Sequence, residues 1–459
     1  MRSAPSGRPI AASWGLSSTI RRHPAKPGGR PVHQPSAEPR AESRRSGALR
    51  VGLFNVKYSP NLGDGLLSEC IEAELKQIVP GLSVEAFDLA GRTDYVAGGR
   101  LRGTALSLLQ SSPTPVRHGL ARTLLGRSLS RQRPVWRARL AGIDAAVTGG
   151  GNLFSDADLN FPLKIDAAWG ELRAAGIPTA VFAVGVADNW SETGAALFRR
   201  ALAGTRILHA SVRDARSAEI WNRRLGPSGA PRAQVVHDPG LLVARHVPQL
   251  RRPGTTPRIG LGLTHPTTLR YHSDEAAVSE RDLNAWYAAL VRGCFARGWT
   301  VDVFTNGSPE DEAYLRRLRT ILAETAPAPA GGPAITFAPR FRNPTELAAF
   351  VSGLDLLMAH RLHANIAAYS YGIPQIGFTW DLKLASFFDL VGRSDYVRTA
   401  GRERPEAVLA LAERGLREGL DRRRHAAILN EARADVAVLA EALTTSVEAR
   451  AALLHEAHP

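Results

Sequence analysis

The sequence predicts an α/β protein built from two doubly wound parallel-sheet domains that face a cleft, with a helical C-terminal tail. Over most of the 459 residues, short apolar or β-branched runs alternate with helical stretches. This is the pattern of parallel sheets covered by helices on both faces. The alternation is interrupted at residues 247–257, where three prolines and few apolar residues indicate a linker. From Pro405 onward the chain is rich in Ala, Leu and Arg and shows no strand pattern.

The first alternating series predicts six strands, with a helix from about Asp64 to Ile78 after the first of them. Each strand is a short run of apolar or β-branched residues that ends near Gly, Asp, Asn or Pro. The predicted strands are Arg50–Val56, Val84–Leu89, Ala145–Thr148, Thr179–Val186, Ile207–Val212 and Gln234–His237.

The second series predicts five more strands and three helices between them. The strands are Arg258–Leu263, Thr300–Thr305, Ala334–Phe337, Leu354–Met358 and Gln375–Phe378, and the helices are Asp282–Arg297, Glu310–Glu324 and Thr345–Ser352. The chain therefore divides into a disordered basic segment (1–48), an N-terminal α/β domain (49–248) with an arginine-rich insertion at about 95–143, a linker (249–257), a C-terminal α/β domain (258–404) and a helical tail (405–459).

Composition favours a globular protein of the cytoplasm. The chain is 44% hydrophobic and 22% charged, as is common for such proteins. Its longest apolar run, Thr179–Ala187, is much shorter than the roughly 18 residues of a membrane helix. The two cysteines, Cys70 and Cys294, form neither a disulfide framework nor a metal-ligand pattern. Arg21 and Arg22 lack the apolar segment that follows in an export signal, so we expect the protein to stay in the cytoplasm.

The net charge of +15 is unevenly distributed. Residues 1–48 hold nine Lys or Arg and two acidic residues, and their Pro, Ser and Gly content predicts disorder. The zone from Tyr95 to Ile143 holds nine arginines and no acidic residue, with leucines interleaved. Such a zone is either a solvated face or a contact surface for an anionic membrane or polyanion. Nucleic acid is not favoured, because the aromatic residues are not placed among the arginines as a stacking platform requires.

Three basic side chains follow two consecutive predicted strands of the C-terminal domain. Arg361 and His363 come after Leu354–Met358, and Lys383 comes after the next strand. Ligands of open α/β sheets bind outside the carboxyl ends of the strands, and this set of side chains suits a small, multiply charged anion. Only 5 of the 58 basic residues are lysines, which favours a specific role for Lys383. The alternative for His363 is that it caps the helix that follows.

The first strand is followed by the sequence Asn61-Leu62-Gly63-Asp64. Glycine allows close approach of a backbone to a ligand, and Asp64 is expected to be the N-cap of the next helix. The alternative is a plain strand–turn–helix junction. Neither the G-x-G-x-x-G fingerprint nor the P-loop ending is present.

Three further strand ends of the N-terminal domain carry candidate binding residues. Consecutive glycines are costly in conformational entropy unless close approach is useful, and exposed amides at a strand end bind phosphate or a sugar hydroxyl. Arg213 either forms a structural ion pair, with Asp214 or with a neighbouring helix, or contacts a ligand. Asp238 is either a residue of a helix or turn boundary or an active-site carboxylate. The glycine turn consists of Gly149, Gly150, Gly151 and Asn152.

Taken in order, these motifs resemble the polysaccharide pyruvyl transferase family. The set is N-x-G-D, G-G-G-N, S-V-R-D, D-P, R-L-H and W-D-x-K, and the resemblance covers residues 51–392. It implies a two-domain fold similar to the GT-B glycosyltransferases. It also implies transfer of a pyruvyl (carboxyethylidene) group from phosphoenolpyruvate to sugar hydroxyls of a cell-surface or exopolysaccharide precursor, usually as a ketal. No cofactor or metal is implied beyond the donor substrate.

By this resemblance Arg213, His363 and Lys383 match the donor-site residues of the family, with Arg361 as a companion. The chemistry agrees, because the carboxylate and phosphate of phosphoenolpyruvate call for guanidinium and ammonium donors. His363 is predicted to be the general acid that protonates the enol carbon, and His360 is the less favoured histidine. The other predicted substrate-binding residues are Asn61, Gly63, Asp64, Gly149, Gly150, Gly151, Asn152 and Asp238.

Two other functions are compatible with the sequence. One is a GT-B glycosyltransferase that binds a nucleotide sugar through the loop Thr264–Tyr271 and the turn Asn306–Ser308. The other is a non-catalytic module that binds a polyanion or membrane through the arginines of residues 95–143; its binding would depend strongly on salt and would not respond to changes at Arg213 or His363.

Overall fold

The computed structural model describes residues 48–95, 114–250, 254, 256–267, 278–379 and 382–456. The predicted disorder of residues 1–47 and the first part of the arginine-rich zone, residues 96–113, lie outside this range. The described residues form two six-stranded parallel sheets with helices on their faces, which confirms the predicted pair of doubly wound sheets. In the described residues no helix combines the length and apolar character needed to cross a membrane.

The N-terminal sheet has the strand order β2-β1-β3-β4-β5-β6. Its strands are β1 (Arg50–Asn55), β2 (Ser83–Asp88), β3 (Ala145–Gly149), β4 (Thr179–Val184), β5 (Ile207–Val212) and β6 (Gln234–Val235). Its helices are α1 (Leu62–Ile78), α2 (Thr114–Arg139), α3 (Asn160–Ala174), α4 (Glu192–Leu202), α5 (Ala215–Leu225) and the short α6 (Val243–His246), with 3-10 turns at Gly226–Ser228 and Pro239–Leu242.

The C-terminal sheet has the strand order β12-β11-β10-β7-β8-β9. Its strands are β7 (Arg258–Gly262), β8 (Thr300–Phe304), β9 (Ile335–Phe337), β10 (Leu356–Ala359), β11 (Gln375–Phe378) and β12 (Val397–Arg398). Its helices are α7 (Glu280–Ala296), α8 (Pro309–Thr325), α9 (Pro344–Ser352), α10 (Leu362–Ser370) and α11 (Leu382–Leu390), with a 3-10 turn at Ser394–Tyr396.

Most differences from the predicted elements are at strand ends. The strand predicted from Leu354 begins at Leu356, because Asp355 is held by Arg258. The backbone N–H of Arg258 donates to the Asp355 side chain, and the backbone N–H of Asp355 donates to the carbonyl of Arg258. The last strand of the N-terminal sheet is two residues long rather than four, since the chain turns at Asp238. Strand β12 was not predicted; at two residues it is too short to produce an alternating pattern.

The predicted helical tail consists of two helices that pack on different sheets. Helix α12 (Pro405–Glu418) packs against α7 and the C-terminal sheet, and α13 (Arg422–Glu456) returns to the N-terminal sheet beside α1. Asp435 of α13 accepts hydrogen bonds from the backbone N–H of His237 and contacts its Nδ1, both at 2.8 Å. The buried Glu74 of α1 pairs with Arg245 and His246. The contacts of α13 with α1 and with strands β3, β4 and β5 show that the last helix covers the first domain.

Candidate active site

Three of the six motifs, N-x-G-D, G-G-G-N and R-L-H, follow strands that flank the point where the strand order reverses in a sheet. In the N-terminal sheet this switch point lies between β1 and β3, whose carboxyl ends lead into residues 61–64 and 149–152. In the C-terminal sheet it lies between β7 and β10, whose carboxyl ends lead into Thr264 and residues 360–363. Such switch points are the usual ligand crevices of open α/β sheets. The positions of these motifs in the fold therefore agree with binding roles.

The two crevices are in direct contact through Gly63 and His363. A Cβ atom on Gly63 would lie 2.5 Å from Nδ1 and 2.7 Å from Cβ of His363. The backbone N–H of Leu62 donates to the carbonyl of Asn306 at 2.8 Å, and a Cβ on Gly307 would lie 3.0 Å from the carbonyl oxygen of Pro60. Gly63 is thus required for close packing of the two halves. The turn Asn306–Ser308, a candidate nucleotide-sugar contact, is occupied by the same packing.

His363 lies beside the cations that the sequence predicted around it. Its side chain is buried, and its Nε2 has no hydrogen-bond partner among the described groups. Burial above all, together with the positive charges of Arg213, Lys383 and Arg361, lowers the pKa of His363 to about 3. The fold therefore brings four residues from three strand ends together.

The lowered pKa changes the expected state of His363. The sequence led us to expect a pKa near neutrality, whereas burial among three cations favours the uncharged imidazole at pH 7. A bound anion adds negative charge beside the ring and raises its pKa. A bound anion therefore favours the protonated form of His363.

Arg213 is held by a glycine that the sequence did not single out. Its side chain is 7% exposed, and a Cβ on Gly185 would lie 2.7 Å from Nη2 of Arg213 and 2.6 Å from Oδ1 of Asn152. Strand β4, which precedes Gly185, contains a bulge, with Ala183 at φ 51°. Bulges often redirect side chains near active sites. The Arg213 Nε lies 3.7 Å from the Asp214 carboxylate, too far for a hydrogen bond.

The glycine turn after β3 adopts the left-handed conformation that its sequence requires. Gly150 and Gly151 have φ values of 74° and 79°, which favour glycine. The N–H of Gly150 donates to the carbonyl of Phe182 at 3.0 Å, and the carbonyl of Gly151 accepts from Gly185 at 2.8 Å. The expectation of exposed amides is thus wrong for Gly150. The buried Oδ1 of Asn152 has no partner in the described structure.

Asp64 is the third residue of α1 and not its N-cap, which corrects the sequence prediction. Asn61 occupies the cap position, but its side chain makes no capping hydrogen bond and its buried Oδ1 has no partner among the described residues. Burial raises the pKa of Asp64, while a hydrogen bond with Ser59 and the charges of Arg92, Arg361 and Arg213 oppose that shift. Asp64 therefore lies in the same cluster of charges as His363.

Asp238 has the first of the two roles that the sequence left open, that of a turn residue. Its Oδ1 accepts a hydrogen bond from the N–H of Gly240 at 2.9 Å and so caps the following 3-10 turn. Its Oδ2 is buried without a partner among the described residues. Burial raises its pKa to about 6, although the charge of Arg213 opposes this. A carboxyl group that titrates near neutrality is suited to proton transfer.

Arg361 forms an ion pair with Asp311, a residue that the sequence motifs did not include. Its guanidinium donates two hydrogen bonds to Oδ2 of Asp311, the one from Nε at 3.0 Å. The fully buried Asp311 also accepts from the backbone N–H of His265 at 2.8 Å. Asp311 lies in the first turn of α8, in an acidic run that looks like ordinary helix-start composition. It holds Arg361 at the N-terminus of α10.

His360 and Lys383 complete the set of predicted residues. His360 is buried with Nε2 2.7 Å from the hydroxyl of Tyr287 and its ring against Phe378, so it belongs to the packing. Lys383 lies partly buried in the first turn of α11, while Asp381 of the same motif lies outside the described residues. In the described part of the chain no three His, Cys, Asp or Glu side chains are grouped to hold a metal.

A sequence model described as polysaccharide pyruvyl transferase matches residues 61–381. The chain belongs to the polysaccharide pyruvyl transferase family. This match confirms the resemblance found in the motifs and makes the chain a member of a family of transferases. The matched range begins at Asn61 and ends two residues before Lys383. No curated protein matches the sequence.

Solved structures share the fold at low sequence identity. The apo structure of OtsA is 11% identical, with a TM-score of 0.51, and the match covers 87% of this chain and 99% of that one. A structure of the trehalose-6-phosphate synthase OtsA is also 11% identical, with a TM-score of 0.50, and the match covers 87% of this chain and 99% of that one. The structure of S. aureus MnaA with UDP is 9% identical, with a TM-score of 0.49, and the match covers 84% of this chain and 92% of that one. The likeness to OtsA agrees with the GT-B-like architecture of two facing sheets and concerns the fold alone.

Proposed function

We propose that the protein transfers a pyruvyl group from phosphoenolpyruvate to sugar hydroxyls of a cell-surface or exopolysaccharide precursor, forming a ketal. The observation that carries this proposal is the convergence of Arg213, Arg361 and Lys383 on the buried ring of His363. Phosphoenolpyruvate has a carboxylate and a phosphate, and guanidinium and ammonium groups bind both. Membership of the family supports the same assignment.

The residue types fit each step of this reaction. The bound donor raises the pKa of His363, which then gives its proton to the methylene carbon of the enol. One sugar hydroxyl attacks the adjacent carbon, a second hydroxyl replaces the phosphate there, and the C–O bond to phosphate breaks. The protons of the two hydroxyls pass to bases, for which the carboxylates of Asp64 and Asp238 are available. Arg213 and Lys383 stabilise the departing phosphate.

The acceptor is a sugar or a lipid-linked oligosaccharide, and no cofactor takes part beyond the donor substrate. We place the reaction in the cytoplasm, as the unpaired cysteines favour. Both cysteines, Cys70 and Cys294, are free and buried. A nucleic-acid partner is not part of the proposal.

Thermal unfolding tests the donor without knowledge of the acceptor. Phosphoenolpyruvate, UDP-glucose and GDP-mannose are each added to the wild type, to Arg213→Ala and to the control Arg216→Ala, an exposed arginine three residues along the chain. A ligand at 100 times its Kd adds about 2.7 kcal/mol of stability. We expect phosphoenolpyruvate to stabilise the wild type and the control but not Arg213→Ala. Stabilisation by a nucleotide sugar instead would contradict the proposal and favour a glycosyltransferase.

A further inference from the structure

Helix α2 has an outer face that nothing in the described structure covers. Its inner face is anchored by the buried Leu129 and Trp136. Eight large apolar side chains are exposed in the described part of the chain, and four of them lie on this one helix. They are Val116, Leu120, Leu124 and Val135, at 57%, 42%, 49% and 47% exposure.

These side chains form a stripe with two arginines. Positions 116, 120, 124, 127, 131 and 135 recur at intervals of three or four residues and therefore lie on one face of the helix. The apolar Val116, Leu120 and Leu124 form the first half of the stripe. The exposed Arg127 and Arg131 follow, and Val135 ends it. We call this set of six residues the α2 stripe.

The charge of the helix is positive throughout. Helix α2 contains seven arginines and no acidic residue. Four of the arginines pair with three carboxylates of neighbouring elements: Arg117 with Asp158, Arg133 and Arg137 with Glu171, and Arg139 with Glu85. In the described residues Arg127 and Arg131 of the stripe have no carboxylate partner, so their charge is directed to solvent beside exposed leucines.

We propose that the α2 stripe is a docking surface for an anionic lipid bilayer. On such an exposed face the apolar side chains can insert at the acyl boundary while the neighbouring arginines bind anionic headgroups. A protein partner that buried the same leucines would need carboxylates opposite Arg127 and Arg131, whereas an anionic bilayer satisfies both requirements at once. The charge complementarity therefore favours the bilayer.

The apolar end of the α2 stripe lies at the side of the N-terminal domain where the active site opens. Arg117 at this end pairs with Asp158 at 3.0 Å, and Asp158 belongs to the loop that follows the glycine turn after β3. Arg122 contacts Thr193 at the start of α4, also on the carboxyl side of the strands. If the proposed function holds, a lipid-linked acceptor in the same bilayer is presented to the site from this edge.

Vesicle co-sedimentation tests the surface separately from the reaction. The full chain is mixed with vesicles of phosphatidylcholine alone or of phosphatidylcholine with phosphatidylglycerol. We expect binding to the mixed vesicles only, weakened about fivefold for each of Arg127→Ala and Arg131→Ala. Leu120→Ser combined with Leu124→Ser should weaken it about tenfold. The matched controls are Arg422→Ala with Arg423→Ala, two exposed arginines of α13, and Val438→Ser, an exposed valine of that helix.

A single fluorescent label locates the contact directly. Both native cysteines are buried, so a polarity-sensitive dye can be attached at Ser128→Cys beside the stripe or at Val438→Cys as the control. A blue shift with mixed vesicles at Ser128→Cys and not at Val438→Cys is the expected result. Vesicle binding that is unchanged in the stripe variants, or equal shifts at both labels, would overturn the proposal. So would a protein dimer that the stripe variants dissociate, since the face would then join two copies. None of these outcomes bears on the donor test above.

Discussion

The carboxyl edges of the two sheets carry opposite chemistry. The C-terminal edge presents Arg361, His363 and Lys383. The N-terminal edge presents the carboxylates Asp64 and Asp238 and the amide oxygens of Asn61 and Asn152, for which the described residues offer no hydrogen-bond partner. Cations suit an anionic donor, and carboxylates and amide oxygens suit the hydroxyls of a sugar. The contrast indicates that neither half can perform the proposed reaction alone.

Arg213 is the exception, because it is a cation on the N-terminal edge. Its charge lowers the pKa of His363 from across the cleft and opposes the rise in pKa of Asp238 on its own side. These two shifted pKa values leave both His363 and Asp238 uncharged at a pH between about 3 and about 6. Over this pH range Asp238 therefore supplies no counter-charge to Arg213.

The largest expected effect separates two histidines that lie three residues apart. His363→Ala should reduce turnover by about 10²–10⁴-fold, the usual contribution of a general acid, while phosphoenolpyruvate still stabilises the protein. His360→Ala should leave the turnover of the folded protein nearly unchanged but reduce the free energy of unfolding by about 2–4 kcal/mol, through lost packing and an unpaired Tyr287 hydroxyl. Steady-state kinetics and urea unfolding measure the two effects, and the reverse pattern would show that the two roles are exchanged.

The next largest effect concerns the contact between the two edges. Gly63→Ala places a methyl group within 2.5 Å of the His363 ring, so the start of α1 must move away from the C-terminal half. We expect turnover to fall more than tenfold and Tm to fall by several degrees. The matched control is Gly126→Ala in α2, where an added Cβ meets no atom within 4 Å. It should raise stability by up to about 1 kcal/mol through better helix propensity.

A moderate effect is expected on stability at Asp238, with a sign set by its pKa. The pKa of Asp238 in the folded protein is about 6, above the ordinary value of 3.8. Above pH 6 the folded protein must ionise this buried group, which lowers its stability. Below about pH 4 the group is protonated in the folded and the unfolded protein alike, so it has no such effect. Asp238→Asn mimics the protonated form. It should therefore increase the free energy of unfolding by roughly 1–3 kcal/mol at pH 7.5, with no gain near pH 4.

Asp188→Asn is the control of opposite sign. Hydrogen bonds and charges of Arg224 and Arg223 lower the pKa of Asp188, so its contribution to stability is present above pH 4 and lost as pH falls. Its removal should make the protein less stable at pH 7.5. If Asp238→Asn were also less stable at pH 7.5, the environment of Asp238 would be polar and the assignment of a raised pKa wrong.

The smallest effect is the proton taken up when the donor binds. Because phosphoenolpyruvate should raise the pKa of His363, its binding gains a proton and strengthens as pH falls from 7.5 to 6.5, by at most tenfold per pH unit. The donor phosphate also titrates in this range, and the comparison with His363→Gln removes that contribution. Calorimetry in buffers of different ionisation enthalpy counts the protons. Equal proton uptake by wild type and variant would remove His363 from the role of acid.

Much of the fold and several site residues could be predicted because they depend on local patterns. Strand periodicity located eleven of the twelve strands of the two sheets. The rarity of lysine identified Lys383 as a candidate. Gly185 and Asp311 were missed, since each acts through a neighbour that is distant along the chain: Gly185 lies against Arg213, and Asp311 pairs with Arg361. A lone glycine after a strand and an aspartate in an acidic helix start have no local pattern that distinguishes them.

By itself, the sequence determined the alternation of strands and helices, the order of the motifs and, through them, the family. These properties are encoded over short stretches, where periodicity and turn chemistry decide the outcome. Only the tertiary structure decided which way α13 packs, that the Gly63 motif serves contact between the halves, and that the pKa of His363 is lowered. Each of these depends on burial and on charges from distant segments, because desolvation and Coulomb forces act through space and not along the chain.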